Sequence, residues 1–234
     1  ELEQDPKTGD VTVTPKRPDG STYPPGTTVE IPGKDKDHPI TVTTDDNGKA
    51  KVPNADLPEG KVPGTGKITE PGKPTEEVPV ETPAHKTPKL ELEQDPKTGD
   101  VTVTPKRPDG STYPPGTTVE IPGKDKDHPI TVTTDDNGKA KVPNADLPEG
   151  KVPGTGKITE PGRPTEEVPV ETPAHKTPTI DVEQDPKTGD VTVTPKRPDG
   201  STYPPGTTVE IPGKDKDHPI TVTTDDNGKA KVPN

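Results

Sequence analysis

The stretch ITVTTDDNGKAKV, residues 40–52, indicates how this chain folds. Two short runs in which apolar and polar residues alternate flank Asp45-Asp46-Asn47-Gly48, and this alternation is typical of half-buried β-strands. Asn-Gly readily takes the positive φ values of a two-residue hairpin turn. The stretch therefore predicts a β-hairpin with residues 40–43 and 49–52 as its strands.

Further short runs of the same kind lie upstream, at residues 1–3, 11–14 and 27–31. The sequence DPKTGD, residues 5–10, reads as a turn that joins the first two of these runs. Prolines interrupt every stretch and apolar residues recur at i+2 rather than at i+3 or i+4, so no helix is expected. The predicted fold class is all-β.

The pattern is repeated with a period of 90 residues, because residues 1–54 return as 91–144 and again as 181–234. A tandem array presents one surface several times along a line, whereas an enzyme brings unlike groups together in one pocket. We therefore expect no enzymatic activity. The copies differ at five positions only: Lys73/Arg163, Lys89/Thr179, Leu90/Ile180, Glu1/Glu91/Asp181 and Leu2/Leu92/Val182.

The composition limits the size of any core. Hydrophobic residues make up 20% of the chain, and Tyr23, Tyr113 and Tyr203 are its only aromatic residues. With 38 prolines and 23 glycines the chain also lies near the range of low-complexity segments. We expect each module to be only modestly stable, and disorder remains an alternative. The expected core residues of the first module are Leu2, Val11, Val13, Tyr23, Val29, Ile31, Ile40, Val42 and Val52.

The texture changes after residue 54, where prolines become frequent, and residues 55–89 read as an extended connector with polyproline II spacing. The predicted organisation is therefore a β module at 1–54, a connector at 55–89, a second module at 90–144, a second connector at 145–179 and a third module at 180–234. Two questions stay open at this stage. The connectors could add strands to the modules, and each module could be a sandwich or a single flat sheet.

Charge and residue content restrict the partners. The formal charge is −12 with both signs interspersed, so nucleic acid is not expected as a partner. No apolar run is long enough to span a membrane. The absence of cysteine excludes disulfides and thiolate metal sites, and no cofactor is expected. The chain is predicted to be a monomer in solution, with homophilic contacts as the alternative.

Few residues are candidates for chemistry. Asp35, Asp37 and His38 could bind zinc weakly between two chains, because carboxylate and imidazole are both zinc ligands. A solvated loop is the simpler interpretation of the same residues. Tyr23 could contact a ligand, but it reads more simply as the largest packing group of its module. No catalytic or cofactor-binding residues are predicted.

The segments VTVTPKRPDGSTYPPGTTVEIPG and ITVTTDDNGKAKVPNADLPEGK resemble the tandem repeats of Gram-positive cell-wall-anchored surface proteins of staphylococcal and streptococcal type. The stretch from PPGTTVEI to LPEG is similar to Ig-like or B-type β-sandwich modules, and PGKPTEEVPVETP resembles their proline-rich joints. B-type modules often carry a Lys–Asn isopeptide bond with an acidic catalyst, roles that the resemblance would give here to Asn54 and Glu30. Such a bond needs a dry apolar pocket, which this composition hardly supplies.

The resemblance implies an extracellular protein at the bacterial cell surface, with a sorting signal and an N-terminal adhesin domain outside this segment. The leading functional hypothesis is a structural stalk that projects the binding domain away from the cell wall. Two alternatives stay open: a homophilic biofilm-accumulation module, assisted by zinc, and a repeat that binds a host ligand weakly but at many copies.

Overall fold

The computed structural model describes residues 1–234 and contains β-strands, with two short 3-10 turns and no α-helix. Neither turn is long or apolar enough to cross a bilayer. We refer to residues 1–88, 89–178 and 179–234 as repeats 1, 2 and 3. In repeat 1 the strands are β1 (Leu2–Gln4), β2 (Val11–Val13), β3 (Thr28–Ile31), β4 (Ile40–Thr43), β5 (Ala50–Val52), β6 (Val62–Thr69) and β7 (Glu76–Thr82), with a 3-10 turn at Asn54–Asp56 between β5 and β6.

The other repeats follow the same order. Repeat 2 has seven strands and a 3-10 turn at Asn144–Asp146, whereas repeat 3 has five strands. The strands of repeat 2 are β8 (Lys89–Gln94), β9 (Val101–Lys106), β10 (Thr118–Ile121), β11 (Ile130–Thr133), β12 (Ala140–Val142), β13 (Val152–Thr159) and β14 (Glu166–Thr172). Those of repeat 3 are β15 (Thr179–Gln184), β16 (Val191–Lys196), β17 (Thr208–Ile211), β18 (Ile220–Thr223) and β19 (Ala230–Val232).

Each repeat is built from two antiparallel sheets. In repeat 1 the strand orders are β1-β2-β5 and β4-β3-β6-β7, and repeat 2 has the same pair of sheets, β8-β9-β12 and β11-β10-β13-β14. Repeat 3 has β15-β16-β19 and the two-stranded β17-β18. The all-β prediction is confirmed, and the question left open by the sequence is answered in favour of a two-layer sandwich.

The core of repeat 1 lies between its two sheets. Val11, Val13 and Val52 face inward from the first sheet, and Val29 and Ile31 face them from the second, all at most 4% exposed. In β2 and β5 these residues alternate with more exposed ones, as expected for strands with one covered face. Burial of these five predicted core residues is thus confirmed.

The predicted hairpin at residues 40–52 is wrong. β4 pairs with β3 and β5 pairs with β2, so the two strands belong to different sheets and contribute to the core from opposite sides. The intervening turn is tight, with the Asp45 amide donating to the Lys49 carbonyl oxygen at 2.8 Å. Only Gly48, at φ 76°, has the positive φ that the predicted turn requires at both central positions. The turn therefore carries the chain from one sheet to the other.

Residues 55–89 do not form the free extended connector that the sequence predicted. Within this segment β6 pairs with β3 and with β7, so the two new strands extend the second sheet. Proline is tolerated here because the prolines lie where their strand has a paired neighbour on one side only. β7, which contains Pro79, is the outermost strand, and Pro63 lies beyond the three residues of β6 that pair with β3.

The segment also supplies core residues that the sequence analysis missed. Leu57, directly after the 3-10 turn, is fully buried in the core of repeat 1. Thr82, at the end of β7, is equally buried, and its hydroxyl donates to the Pro32 carbonyl oxygen at 2.7 Å. The folded unit therefore includes the proline-rich segment.

The hairpin of β6 and β7, and its equivalent β13 and β14 in repeat 2, packs over part of the first sheet. The second sheet of repeat 3 has only β17 and β18, and Ile180 and Val182 on β15 are 48% and 59% exposed. The equivalent Leu90 and Leu92 of repeat 2 pack against the core, where Leu90 also contacts the cluster that contains Ile158 of β13. In repeat 2, β13 and β14 thus cover the face that carries Leu90.

Candidate functional site at the contact between repeats 1 and 2

The predicted zinc ligands lie on an exposed loop. His38 Nδ1 is 2.7 Å from Asp35 Oδ1, the same oxygen accepts the backbone N–H of Asp37, and the Asp37 carboxylate makes no hydrogen bond or ion pair. The His38 contact holds the pKa of Asp35 below its usual value. No group of three potential metal ligands comes together anywhere in the structure. In each repeat the loop thus brings two potential zinc ligands, an aspartate and a histidine, next to each other. Zinc binding between two chains stays a prediction.

Tyr23 packs within its own repeat. The Arg17 guanidinium lies over its ring at 4.6 Å from the centroid and makes an ion pair of 2.9 Å with Glu70, the residue directly after β6. Arg107, Tyr113 and Glu160 repeat this arrangement in repeat 2. The cluster ties the loop before β3 to the hairpin, which supports the packing interpretation of the tyrosine.

The residues that the resemblance assigned to an isopeptide bond have other partners. Glu30 makes an ion pair with Lys67 across the β3–β6 pairing at 3.8 Å. The side-chain amide of Asn54 donates to the backbone carbonyl oxygen of Lys86 at 2.7 Å. In this arrangement Asn54 serves as a hydrogen-bonding link to the chain that leaves the repeat.

That link is part of a small polar cluster at the end of repeat 1. Asp10 accepts the backbone N–H of Asn54 at 2.9 Å, and the amide oxygen of Asn54 accepts the backbone N–H of Lys86 at 2.9 Å. The backbone N–H of His85 donates to the Pro58 carbonyl oxygen at 2.7 Å, which fixes the histidine beside them. We call Asp10, Asn54 and His85 the end cluster.

A loop of repeat 2 sits on this cluster. The loop, residues 160–165, connects β13 to β14, whose first residue is Glu166. Arg163 donates through Nη2 to Asp10 Oδ2 at 2.6 Å. The carboxylate of Glu166 accepts the Asn54 amide at 2.9 and 3.1 Å and lies 3.0 Å from His85 Nε2. Because a carboxylate only accepts, Nε2 carries the hydrogen in this contact.

The contact is largely withdrawn from solvent. The side chains of Asp10, His85 and Glu166 are 3%, 8% and 14% exposed. The hydrogen bond with Asp10 raises the pKa of Arg163 above its usual value. Burial, followed by the nearby Glu166 charge, raises the pKa of Tyr113 to about 12. A buried cluster of complementary charges of this kind strengthens the contact only while every member keeps its partner.

Sequence reasoning did not find this site, because its members are up to 153 residues apart in the chain. One signal was present. Position 73/163, where lysine in repeat 1 is replaced by arginine in repeat 2, is one of the few variable positions, and it lies at the contact.

The fold and the contact define a tandem array of Ig-like β-sandwiches. The chain matches the family model described as bacterial Ig-like domain three times, over residues 1–85, 83–175 and 173–234. It therefore belongs to this family. Comparison with curated protein sequences finds no match.

Solved structures show low similarity over long spans. A tetra-tandem repeat from the extending region of a large adhesion protein is 12% identical, with a TM-score of 0.26, covering 100% of this chain and 63% of that one. The native form of E. coli alpha-2-macroglobulin is 10% identical with a TM-score of 0.25, and the match covers 98% of this chain and 20% of that one. The FN1–FN3 domains of chicken CNTN1 are 14% identical with a TM-score of 0.24, and the match covers 100% of this chain and 86% of that one. At these TM-scores the neighbours carry no argument about function.

Proposed function

We propose that this chain is a stalk segment of a bacterial surface adhesin, whose repeats hold a terminal binding domain away from the cell wall. The observation that carries the proposal is three copies of one Ig-like sandwich in series, with only residues 83–88 between the last strand of repeat 1 and the first of repeat 2. So short a connection restricts folding back. The Gram-positive origin and cell-wall attachment belong to the same proposal and rest on the sequence resemblance.

The structure offers reasons for a passive role. The chain carries its charge as interspersed residues of both signs, with a net value of −12, which suits a solvated spacer. The buried polar groups of Asp10, Asn54 and Thr82 are used in hydrogen bonds between or within the repeats. Repetition of one unit makes length proportional to copy number.

Small-angle X-ray scattering tests the proposal. A compact globule of 234 residues would have a radius of gyration of about 17 Å. The eight residues of β6 span roughly 27 Å, so three sandwiches stacked along their strands would reach about 80 Å and give a radius of gyration of roughly 25 Å. A value near that of the globule would contradict the stalk.

A second candidate is homophilic adhesion assisted by zinc. It is favoured by the exposed Asp–His pair that recurs in each repeat, at 2.7, 2.7 and 2.6 Å, because two ligands need others from a second chain to complete a zinc site. Sedimentation velocity with and without zinc distinguishes the two candidates. A chain that stays monomeric in both conditions removes this one.

A further inference from the structure

The end cluster of repeat 1 has the hydrogen-bonding pattern of a binding site. Asp10 keeps one carboxylate oxygen free of the Asn54 backbone, while the Asn54 amide and the His85 ring offer N–H donors beside it. One acceptor next to two donors fits a ligand that carries a cation and a carboxylate at a fixed spacing. The segment Arg163-Pro164-Thr165-Glu166 supplies that pair, with Pro164 restricting the backbone between them.

The site is preformed. In repeat 2 the equivalent residues Asp100 and Asn144 have no loop on them, yet the Asn144 backbone N–H donates to Asp100 at 2.9 Å. The side chain of Asn144 bonds the backbone of Lys176 at 2.7 and 2.9 Å, the same values as in repeat 1. Little reorganisation is therefore needed on docking, and a preorganised site binds with a smaller loss of conformational entropy.

The two ends also differ in the burial of the equivalent residues. Asp100 and Asn144 are only partly buried, whereas Asp10 and Asn54 beneath the loop are buried to 3% and 2% exposure. The loop of repeat 2 thus covers Asp10 and Asn54.

Arginine suits this position better than lysine. Arg163 reaches Asp10 through Nη2 while its Nε stays 3.7 Å from Glu160, so one planar group lies between two carboxylates. In repeat 1 the equivalent Lys73 is 61% exposed and makes only an ion pair of 3.5 Å with Glu70. Lysine carries its charge on a single nitrogen and lacks this fork geometry.

We propose that the end cluster of repeat 1 is a docking site for the Arg163-Pro164-Thr165-Glu166 segment of repeat 2, and that Arg163 fixes the angle between repeats 1 and 2. The partner is thus a second copy of the same unit. This inference deepens the proposed stalk function and rests on it. A stalk with fixed joints sets the direction in which the terminal domain points as well as its distance from the cell wall. The contact itself is independent of that function.

Pulsed electron–electron double resonance tests the joint in the whole chain. The protein has no cysteine, so Asp46→Cys and Asp136→Cys place nitroxides only at two exposed, equivalent turns. We expect one narrow distance distribution. The double variant Arg163→Ala/Glu166→Gln should lose the narrow peak, and Arg163→Lys should broaden it.

The matched control is Lys73→Ala/Glu76→Gln, which makes nearly the same chemical change in repeat 1, where both side chains are exposed. It should leave the distribution unchanged, and circular dichroism should show that all variants keep their β content. A broad distribution in the parent chain, or equal widths in the joint variant and the control, would overturn the docking proposal. An unchanged width in Arg163→Lys would overturn the role of Arg163.

The two proposals fail in different ways. A radius of gyration near that of a globule removes the stalk, whatever the distance distribution shows. An extended chain with a broad distribution removes the fixed joint and leaves the stalk standing.

Discussion

Leu57→Ala tests whether the proline-rich segment is part of the folded unit. Leu57 is fully buried in the core of repeat 1, although it lies outside the residues from which the sequence predicted a core. Truncation of a buried leucine to alanine costs about 2–5 kcal/mol of unfolding free energy. A unit of this size has roughly 4–12 kcal/mol in total, so the loss is a large part of its stability.

Hydrogen exchange followed by mass spectrometry measures the effect in one repeat at a time. Peptides that span the β6–β7 loop contain Lys73 in repeat 1 and Arg163 in repeat 2, so their masses distinguish two otherwise identical segments. A loss of 2–5 kcal/mol should speed exchange in β6 and β7 by roughly 30-fold to several thousand-fold. The peptide from repeat 2 should exchange nearly as before.

A matched variant provides the internal standard. Leu147→Ala makes the same change in repeat 2, where Leu147 is 1% exposed, and it should shift the Arg163 peptide. If Leu57→Ala speeds exchange less than about fivefold, equivalent to about 1 kcal/mol, the hairpin does not share a core with the remainder of the repeat. That result would favour the interpretation of residues 55–89 as a connector outside the folded unit.

Two further predictions concern packing and pH. Val168→Ala should lower the unfolding free energy of repeat 2 by about 1.5 kcal/mol, because Val168 is 6% exposed and packs with Leu90. The equivalent Val78 of repeat 1 is 42% exposed, so Val78→Ala should change the unfolding free energy by no more than about 0.5 kcal/mol. Equal effects of the two variants in the exchange experiment would contradict this prediction. The backbone N–H groups of Lys49 and Asn47 lower the pKa of Asp45 below the ordinary value of 3.8. The ionised carboxylate of Asp45 therefore stabilises the folded state above pH 3.8, and this stabilisation is lost as the pH falls through the folded-state pKa. The midpoint temperature of thermal unfolding should therefore fall as the pH is lowered below about 4. It should fall less steeply in the triple variant Asp45→Asn/Asp135→Asn/Asp225→Asn, which changes the equivalent residue of each repeat. A midpoint temperature that does not depend on pH would argue against the effect.

The sequence was informative where the signal is local. Alternation of apolar and polar residues predicted the strands that bury Val11, Val13 and Val29, and the turn DPKTGD joins β1 to β2 as expected, with Gly9 at φ 81°. Such features depend on neighbours within a few residues. A single repeat therefore suffices to predict them.

Pairing between distant strands was not predictable in the same way. The turn after β4 has the composition of a hairpin turn, but whether β4 and β5 pair depends on the shape of the whole sandwich. The proline content of residues 55–89 favoured an extended connector, and only the edge position of β7 explains why Pro79 is tolerated in a strand. The contact between Asn54 and Glu166 joins residues 112 apart, beyond the reach of any motif.

The hairpin of β6 and β7 has a consequence for how the protein folds. Residues 62–82 and 152–172 differ only at position 73/163, so the hairpin of one repeat would complete the sheet of its neighbour with nearly the same contacts. Adjacent identical units are therefore exposed to domain swapping during folding. The contacts do not discriminate, so chain connectivity makes the difference. Residues 32–61 join β3 to the hairpin within repeat 1, whereas the longer stretch of residues 83–117 joins this hairpin to β10 of repeat 2.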